Sequence, residues 1–195
     1  MLDEVDRFAK SLVDRIGIRR GDVVAMWSAN VYEFMVVQLA LARIGAIYCA
    51  VSPLFKAAEL SHLLTKAQVK ALVYPGPESL QNFVIDYAST LEAAEKPFLK
   101  DLIFLESEDG EGTGVAGLRT HSLRHLIDTS DGSLDPAVLD AVQPDDVANV
   151  FFTSGTTGKP KGAATSHATV INCQRFMLRS KRNVQLENSV KACVP

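Results

Sequence analysis

Between Phe151 and Gly162 the chain reads Phe-Phe-Thr-Ser-Gly-Thr-Thr-Gly-Lys-Pro-Lys-Gly, and its residue types share one chemistry. Glycine lets backbone approach a ligand closely. Successive N–H groups in such a loop form an anion-binding nest. The hydroxyls of Thr153, Ser154, Thr156 and Thr157 add donors, and Lys159 and Lys161 add mobile point charges suited to phosphate. The stretch therefore reads as a clamp for a polyphosphate. A plain Gly/Ser/Thr linker would need neither a Lys-Pro-Lys at a fixed place nor an apolar strand ending at its first residue.

The clamp is not a Walker A loop. That motif needs glycine five residues before its Gly-Lys and then Ser or Thr after the lysine. Here Thr153 stands where the first glycine belongs, and Pro160 follows Lys159. Proline lacks an N–H and restrains the residue before it from helix, so no helix opens at Lys159. The spacing predicts an extended or turned chain until about Ser166.

Phe-Thr-Ser-Gly-Thr-Thr-Gly-Lys-Pro-Lys-Gly followed by Ser166-His167 resembles the signature loop of the adenylate-forming superfamily: AMP-dependent acyl-CoA synthetases, luciferases and peptide-synthetase adenylation domains. Gly-Asp-Val-Val-Ala-Met-Trp-Ser-Ala-Asn (21–30) is similar to that family's first core strand, and Gly-Ala-Ile-Tyr-Cys-Ala-Val-Ser-Pro (45–53) to its next. The resemblance implies ATP-dependent activation of a carboxylic acid, a fatty acid by the general run of these segments, to an acyl-adenylate. The acyl group then passes to coenzyme A. It also implies ATP with Mg²⁺ carried by the nucleotide, and a signature loop over 152–162. Phosphate contacts would come from Thr153, Ser154, Gly155, Thr156, Thr157, Gly158 and Lys159, with Thr156 and Thr157 as the main hydroxyl donors and Lys159 and Thr156 assisting phosphate handling, while Lys161 and Gly162 shape the loop exit. No residue is singled out as catalytic, and no protein metal ligand is implied. The family's acyl-pocket, adenine- and ribose-binding elements and its C-terminal lid domain have no counterpart in the sequence. The chain is thus expected to be a partial N-terminal domain over 1–195, poorly stable and inactive alone. The alternative is a non-catalytic nucleotide-binding or interaction fragment.

The elements that position the loop follow from pattern. Leu2, Val5, Phe8, Ala9, Leu12, Val13 and Ile16 recur at helical spacing, with Gly17 as a C-terminal cap. Val23 to Trp27 reads as a buried strand, then a helix from about Tyr32 to Ile44 with Asn30 as cap and Gly45 as stop. Strands are expected at Ile47–Val51 and Ala71–Tyr74, with a helix over Ala57–Lys66 between them. Glu78–Ala94 reads as helix, Asp101–Leu105 as strand, Glu106–Gly117 as an acidic surface loop and His121–Ile127 as a short helix. Asp131–Asp146 is turn-rich. Val147–Thr153 is the strand delivering the loop, Ser166 or Thr169 caps a helix to about Arg182, and Val190–Val194 begins another strand. Alternating strands and helices predict an α/β fold, a mostly parallel sheet with helices on both faces.

Other candidate sites are weaker. Gly112–Gly117 matches G-x-G-x-x-G, but Glu106, Glu108, Asp109 and Glu111 would repel a pyrophosphate. His121 and His125 are spaced for one helix face, yet the glutamate of H-E-x-x-H is absent, which favours solvated histidines. His167 reads as local packing or capping. Trp27, Phe34, Phe104, Phe151 and Phe152 read as core.

The 195 residues are 47% hydrophobic and 22% charged, which suits a globular domain. Cys49, Cys173 and Cys193 are odd in number and lack C-x-x-C spacing, against a disulfide framework or zinc site. From Lys159 onward seven Lys or Arg residues face Glu187 alone, a net of +6, so the residues before it carry −9 of the total −3. The basic segment suits phosphate or forms a solvated helix face; it is too short and has too few aromatics for nucleic acid. The acidic, amphipathic first residues do not match a secretion signal, and Glu33, Gln38 and Arg43 interrupt the most apolar stretch, against a membrane span. An intracellular setting is expected, with cytoplasm, mitochondrion and peroxisome left open.

Overall fold

The computed structural model describes residues 1–76, 87–105, 118–153 and 160–183. Its elements in chain order are α1 (Leu2–Ser11) continued by a π-helical turn (Leu12–Ile16), β1 (Val23–Trp27), α2 (Glu33–Arg43), β2 (Ile47–Val51), α3 (Ala57–Lys66) and β3 (Val69–Tyr74). Next come α4 (Tyr87–Ala93), β4 (Asp101–Phe104), β5 (Arg119–Ser122), α5 (Leu123–Asp128), α6 (Pro136–Asp140), β6 (Val147–Thr153), β7 (Lys161–Ser166) and α7 (His167–Asn183).

The seven strands form one sheet in the order β5-β4-β3-β1-β2-β6-β7. Every pairing is parallel except β6 with β7. Handedness places the helices. A right-handed crossover puts its helix on one face when the chain steps one way along the sheet and on the other when it steps back. The step from β1 to β2 carries α2 to one face. The return from β2 to β3 and on to β4 carries α3 and α4 to the opposite face.

Two cores follow. Val24 and Met26 of β1 and Tyr48 of β2 pack with α1, α2 and α5, through Phe8, Leu41 and Leu126. Ala25 and Trp27 point the other way, with Cys49 and Val51, against Leu60, Leu63 and Leu64 of α3 and Tyr87 and Leu91 of α4. Successive residues of one strand thus serve opposite layers, as the pleat requires. The expected mostly parallel sheet with helices on both faces is observed.

Several boundaries differ from the expectation. Asn30 does not cap α2: Tyr32 occupies the cap position without a side-chain capping bond, and its hydroxyl donates to Glu4 instead. Gly17, with φ of 81°, does end the first helix, but only after the π-helical turn. His121 does not begin a helix; it sits in the edge strand β5, and the helix starts at Leu123 with Ser122 as its cap, accepting from His125 N. The turn-rich approach contains α6, capped by Asp135. Trp27 and Phe104 are buried, Phe34 and Phe152 half-buried, and Phe151 is 41% exposed, so Phe151 is not core. The first part of the expected Glu78–Ala94 helix, the acidic loop with Gly112–Gly117, and Val190–Val194 lie outside the described residues.

At the far edge of the sheet Asp101, the first residue of β4, is buried to 3% side-chain exposure. Arg119 reaches it with Nε and Nη2, both at 2.9 Å, and His121 Nε2 donates to Oδ1 at 2.9 Å. A buried carboxyl stripped of its charged partner is costly, whereas Arg119 is half in water and can rehydrate. Arg119→Met is therefore expected to lower unfolding free energy by about 3 kcal/mol. Asp101→Asn, which leaves no buried charge, should cost about 1 kcal/mol. Urea unfolding of the two variants side by side checks the ranking.

Candidate functional site

β6 is the strand that carries the loop. It lies between β2, in register Tyr48↔Asn149, Cys49↔Val150 and Ala50↔Phe151, and β7, which returns antiparallel. The loop therefore leaves the carboxyl end of a parallel strand, the edge of an α/β sheet where ligands gather. Its two stems are in place: Thr153 opposes Lys161, Phe152 opposes Gly162, and Thr153 Oγ1 lies 3.4 Å from the Lys161 carbonyl. Thr153, Lys161 and Gly162 are all exposed. Ser154, Gly155, Thr156, Thr157, Gly158 and Lys159 lie outside the described residues.

Gly162 is required by crowding rather than by backbone angle. A Cβ there would stand 3.3 Å from Phe152 Cζ and 3.3 Å from Val150 Cγ1. Phe152 itself packs against the α3/α4 core layer and meets the His62 ring edge-on, centroids 6.3 Å apart at 88°. His62 Nε2 donates to the Pro160 carbonyl at 3.0 Å. His62 belongs to α3, whose Leu60, Leu63 and Leu64 are buried, and Glu59 accepts from Lys56 N at the helix start. Ser61 Oγ accepts from Glu95 N at 2.8 Å, tying α3 to the end of α4. A cleft of about 950 Å³ opens beside this corner, with Ser61, His62, Thr65, Lys66, Glu95 and Pro160 on its walls. Its walls are more apolar than polar, with charges of both signs at Lys66 and Glu95.

The base of the hairpin is held separately. Arg20 grips Asp146 through Nε and Nη2 at 2.7 and 2.6 Å, and Gln143 N donates to the same carboxyl at 2.8 Å. The Asp146 carbonyl accepts from His167 N at 3.1 Å, so the lead-in to β6 and the start of α7 share one anchor. The Arg20 guanidinium, then the Gln143 amide, hold the Asp146 carboxyl down at about 2. On β6 itself buried Asn149 accepts from Gln38 Nε2 of α2 at 3.2 Å.

The remaining sequence candidates separate clearly. Ser166 does cap α7, accepting from Thr169 N at 3.3 Å. His167 stands at the helix start, half-buried, with its Nε2 buried among the described residues without a hydrogen-bond partner. His121 lies in β5 and His125 is exposed on α5, so the two do not share a helix face; among the described residues no three His, Cys, Asp or Glu side chains gather for a metal. Cys49 is buried in β2, which pushes its thiol up to about 12, and Cys173 is exposed on α7. Arg175 is exposed there too. Among the described residues no helix is long and apolar enough to cross a membrane. His62 was not legible as a site residue. Its partner lies 98 positions away, and only the pairing of β2 with β6 brings α3 under the loop.

Comparison with known proteins agrees with this geometry. The sequence pattern of the AMP-binding enzymes matches residues 1–195. Medium-chain acyl-CoA ligase ACSF2, mitochondrial, of Rattus norvegicus is 34% identical over 186 residues, covering 87% of this chain and 29% of the relative. The chain thus spans about 29% of that relative's length. Among solved structures, a long-chain-fatty-acid-CoA ligase from Archaeoglobus fulgidus superposes with a TM-score of 0.67 at 21% identity, over 92% of this chain and 32% of that one. ATP-bound MatB from Rhodopseudomonas palustris superposes with a TM-score of 0.65 at 24% identity, over 93% and 31%. At these identities the structures establish the fold alone.

Two outcomes follow from the hairpin. Gly162→Val crowds the Phe152 ring and the Val150 side chain, so amides of 150–153 and 161–164 are expected to exchange about tenfold faster, while those of β1 and β3 keep their rates. Asp146 has its folded value held below the ordinary 3.8. Its contribution to stability is therefore complete above about pH 4 and is lost as pH falls toward 2. Arg20→Leu removes the cause, so its acid-unfolding midpoint by circular dichroism should lie at higher pH than the parent's.

Proposed function

The chain belongs to the AMP-binding enzyme family, and from that premise we propose that it is the phosphate-loop portion of an ATP-dependent acid–thiol ligase. The observation that carries the reading is the loop's setting. A hydroxyl-, glycine- and lysine-rich turn leaves the carboxyl edge of a parallel sheet, with Thr153 and Lys161 holding its ends side by side. In the proposed reaction a carboxylate oxygen attacks the α-phosphorus of ATP, the bond to the β-phosphate oxygen breaks, and pyrophosphate leaves as the acyl-adenylate forms. The thiol of coenzyme A then takes the acyl group and AMP departs.

Negative charge grows on the pyrophosphate as that bond breaks, so donors fixed around the outer phosphates stabilise the transition state. Thr153, Ser154, Thr156 and Thr157 supply hydroxyls, Gly155 and Gly158 supply close backbone N–H groups, and Lys159 supplies charge. Lys161 and Gly162 set the exit. The donor set suits a polyanion. A divalent cation carried by the nucleotide's own phosphates would neutralise part of their charge there. The name of the rat relative supports a medium-chain fatty acid as the acid and an intracellular setting.

ATP–pyrophosphate exchange with medium-chain fatty acids tests the reading. Lys159→Ala and Thr156→Ala are each expected to lower kcat/KM by about tenfold or more, the effect of one charge-assisted contact. If hydrogen exchange shows ATP protecting 151–162 without any exchange activity, these 195 residues alone are a non-catalytic nucleotide-binding fragment, whatever the parent enzyme does. Absence of that protection overturns the phosphate loop altogether.

A further inference from the structure

We infer that His62 is a positioning residue for the phosphate loop, and that its hydrogen bond to Pro160 sets how tightly the loop holds a phosphate chain. This inference rests on the phosphate-loop reading. A carbonyl oxygen only accepts, so the 3.0 Å contact requires the proton on Nε2 of the ring. Proline has no N–H, so its carbonyl is the one backbone polar group through which the loop exit at Pro160 can be held. The same imidazole stands edge-on to Phe152, the residue that covers Gly162 from the opposite stem. One side chain therefore touches the leading stem and the trailing stem together, and adds to the Thr153–Lys161 pairing a hold on the loop exit at Pro160.

The ring can do this because its own helix cannot move easily. Leu60, Leu63 and Leu64 flank His62 along α3 and are fully buried, and Ser61 binds the end of α4. Binding groups whose flanking stems are already held lose less freedom when a ligand binds, and that difference appears as affinity. His62 touches no phosphate in this account. It acts through Pro160.

The test measures affinity of the whole 195-residue chain for MgATP and for inorganic pyrophosphate by titration calorimetry, with thermal midpoints recorded in parallel. His62→Phe keeps the edge contact to Phe152 and removes the donor. His62→Gln restores a donor near the Nε2 position without the ring. His62→Phe and His62→Ala are expected to weaken both ligands by about three- to tenfold, the range for one neutral hydrogen bond, while His62→Gln stays within about twofold. In the parent, ¹⁵N NMR should show the Nε2–H form of His62.

If the parent binds and His62→Phe binds as tightly, the hydrogen bond does no positioning and the inference is wrong. An unprotonated Nε2 overturns it as well, as does affinity in all three variants that merely tracks their thermal midpoints. A parent chain with no affinity for either ligand sinks the phosphate-loop reading, and this inference with it.

Discussion

The parallel register between β2 and β6 is the constraint on which the site depends. Ala50 stands opposite Phe151, so Phe152 turns its ring to the face occupied by α3. A slip of one residue would exchange Phe151 and Phe152 between faces. The Phe152 ring over Gly162 would be lost, His62 would lose its edge-on contact with Phe152, and the loop exit would shift relative to α3. The hydrogen bond from half-buried Gln38 to buried Asn149 makes such a slip costly, because it would strand the Asn149 amide away from its partner.

The two anchors of the hairpin differ in kind. Asp146 meets Arg20 bidentately, but Arg20 is about half exposed, so the pair fixes geometry more than it adds stability. At the other end His62 works from inside a packed layer, where its helix is already immobilised by apolar burial. The first anchor orders the lead-in to β6 and the start of α7; the second orders the point where ligand chemistry would occur. The proposed polyphosphate clamp would need this division, because a tip that presents many donors can be held only at its ends without occupying them.

Legibility in the sequence tracked apolar patterning. β1, β2, α3 and β6 begin and end where continuous hydrophobic runs and Gly or Pro punctuation place them. The family was legible because glycine, hydroxyl and lysine at that spacing have few other uses. β5 was not, because Arg-Thr-His-Ser is polar and becomes a strand only by backbone pairing with β4. For the same reason His121 read as helical, when its ring serves the buried Asp101. Asn30 had the right chemistry for a cap and the wrong place by two residues. Phe151 read as core by type alone, since periodicity in a short apolar run does not say which face is covered. His62 left no local signal, because a donor reaching across 98 positions is a property of topology.

The distribution of apolar surface explains why the anchor comes from α3. On one side of β6 the strands β1, β2 and β3 are covered on both faces and their side chains are almost entirely buried. On the other side Phe151, Ile171, Phe176 and Met177 are exposed, and β7 is exposed along most of its length. A hydrogen bond holds a loop only as firmly as the group that donates it is held. A donor on α7 would rest on a helix with few buried neighbours, and its own freedom would pass to the loop. A donor on α3 rests on three buried leucines and a sheet layer, so the same bond carries the rigidity of the core to the loop's exit.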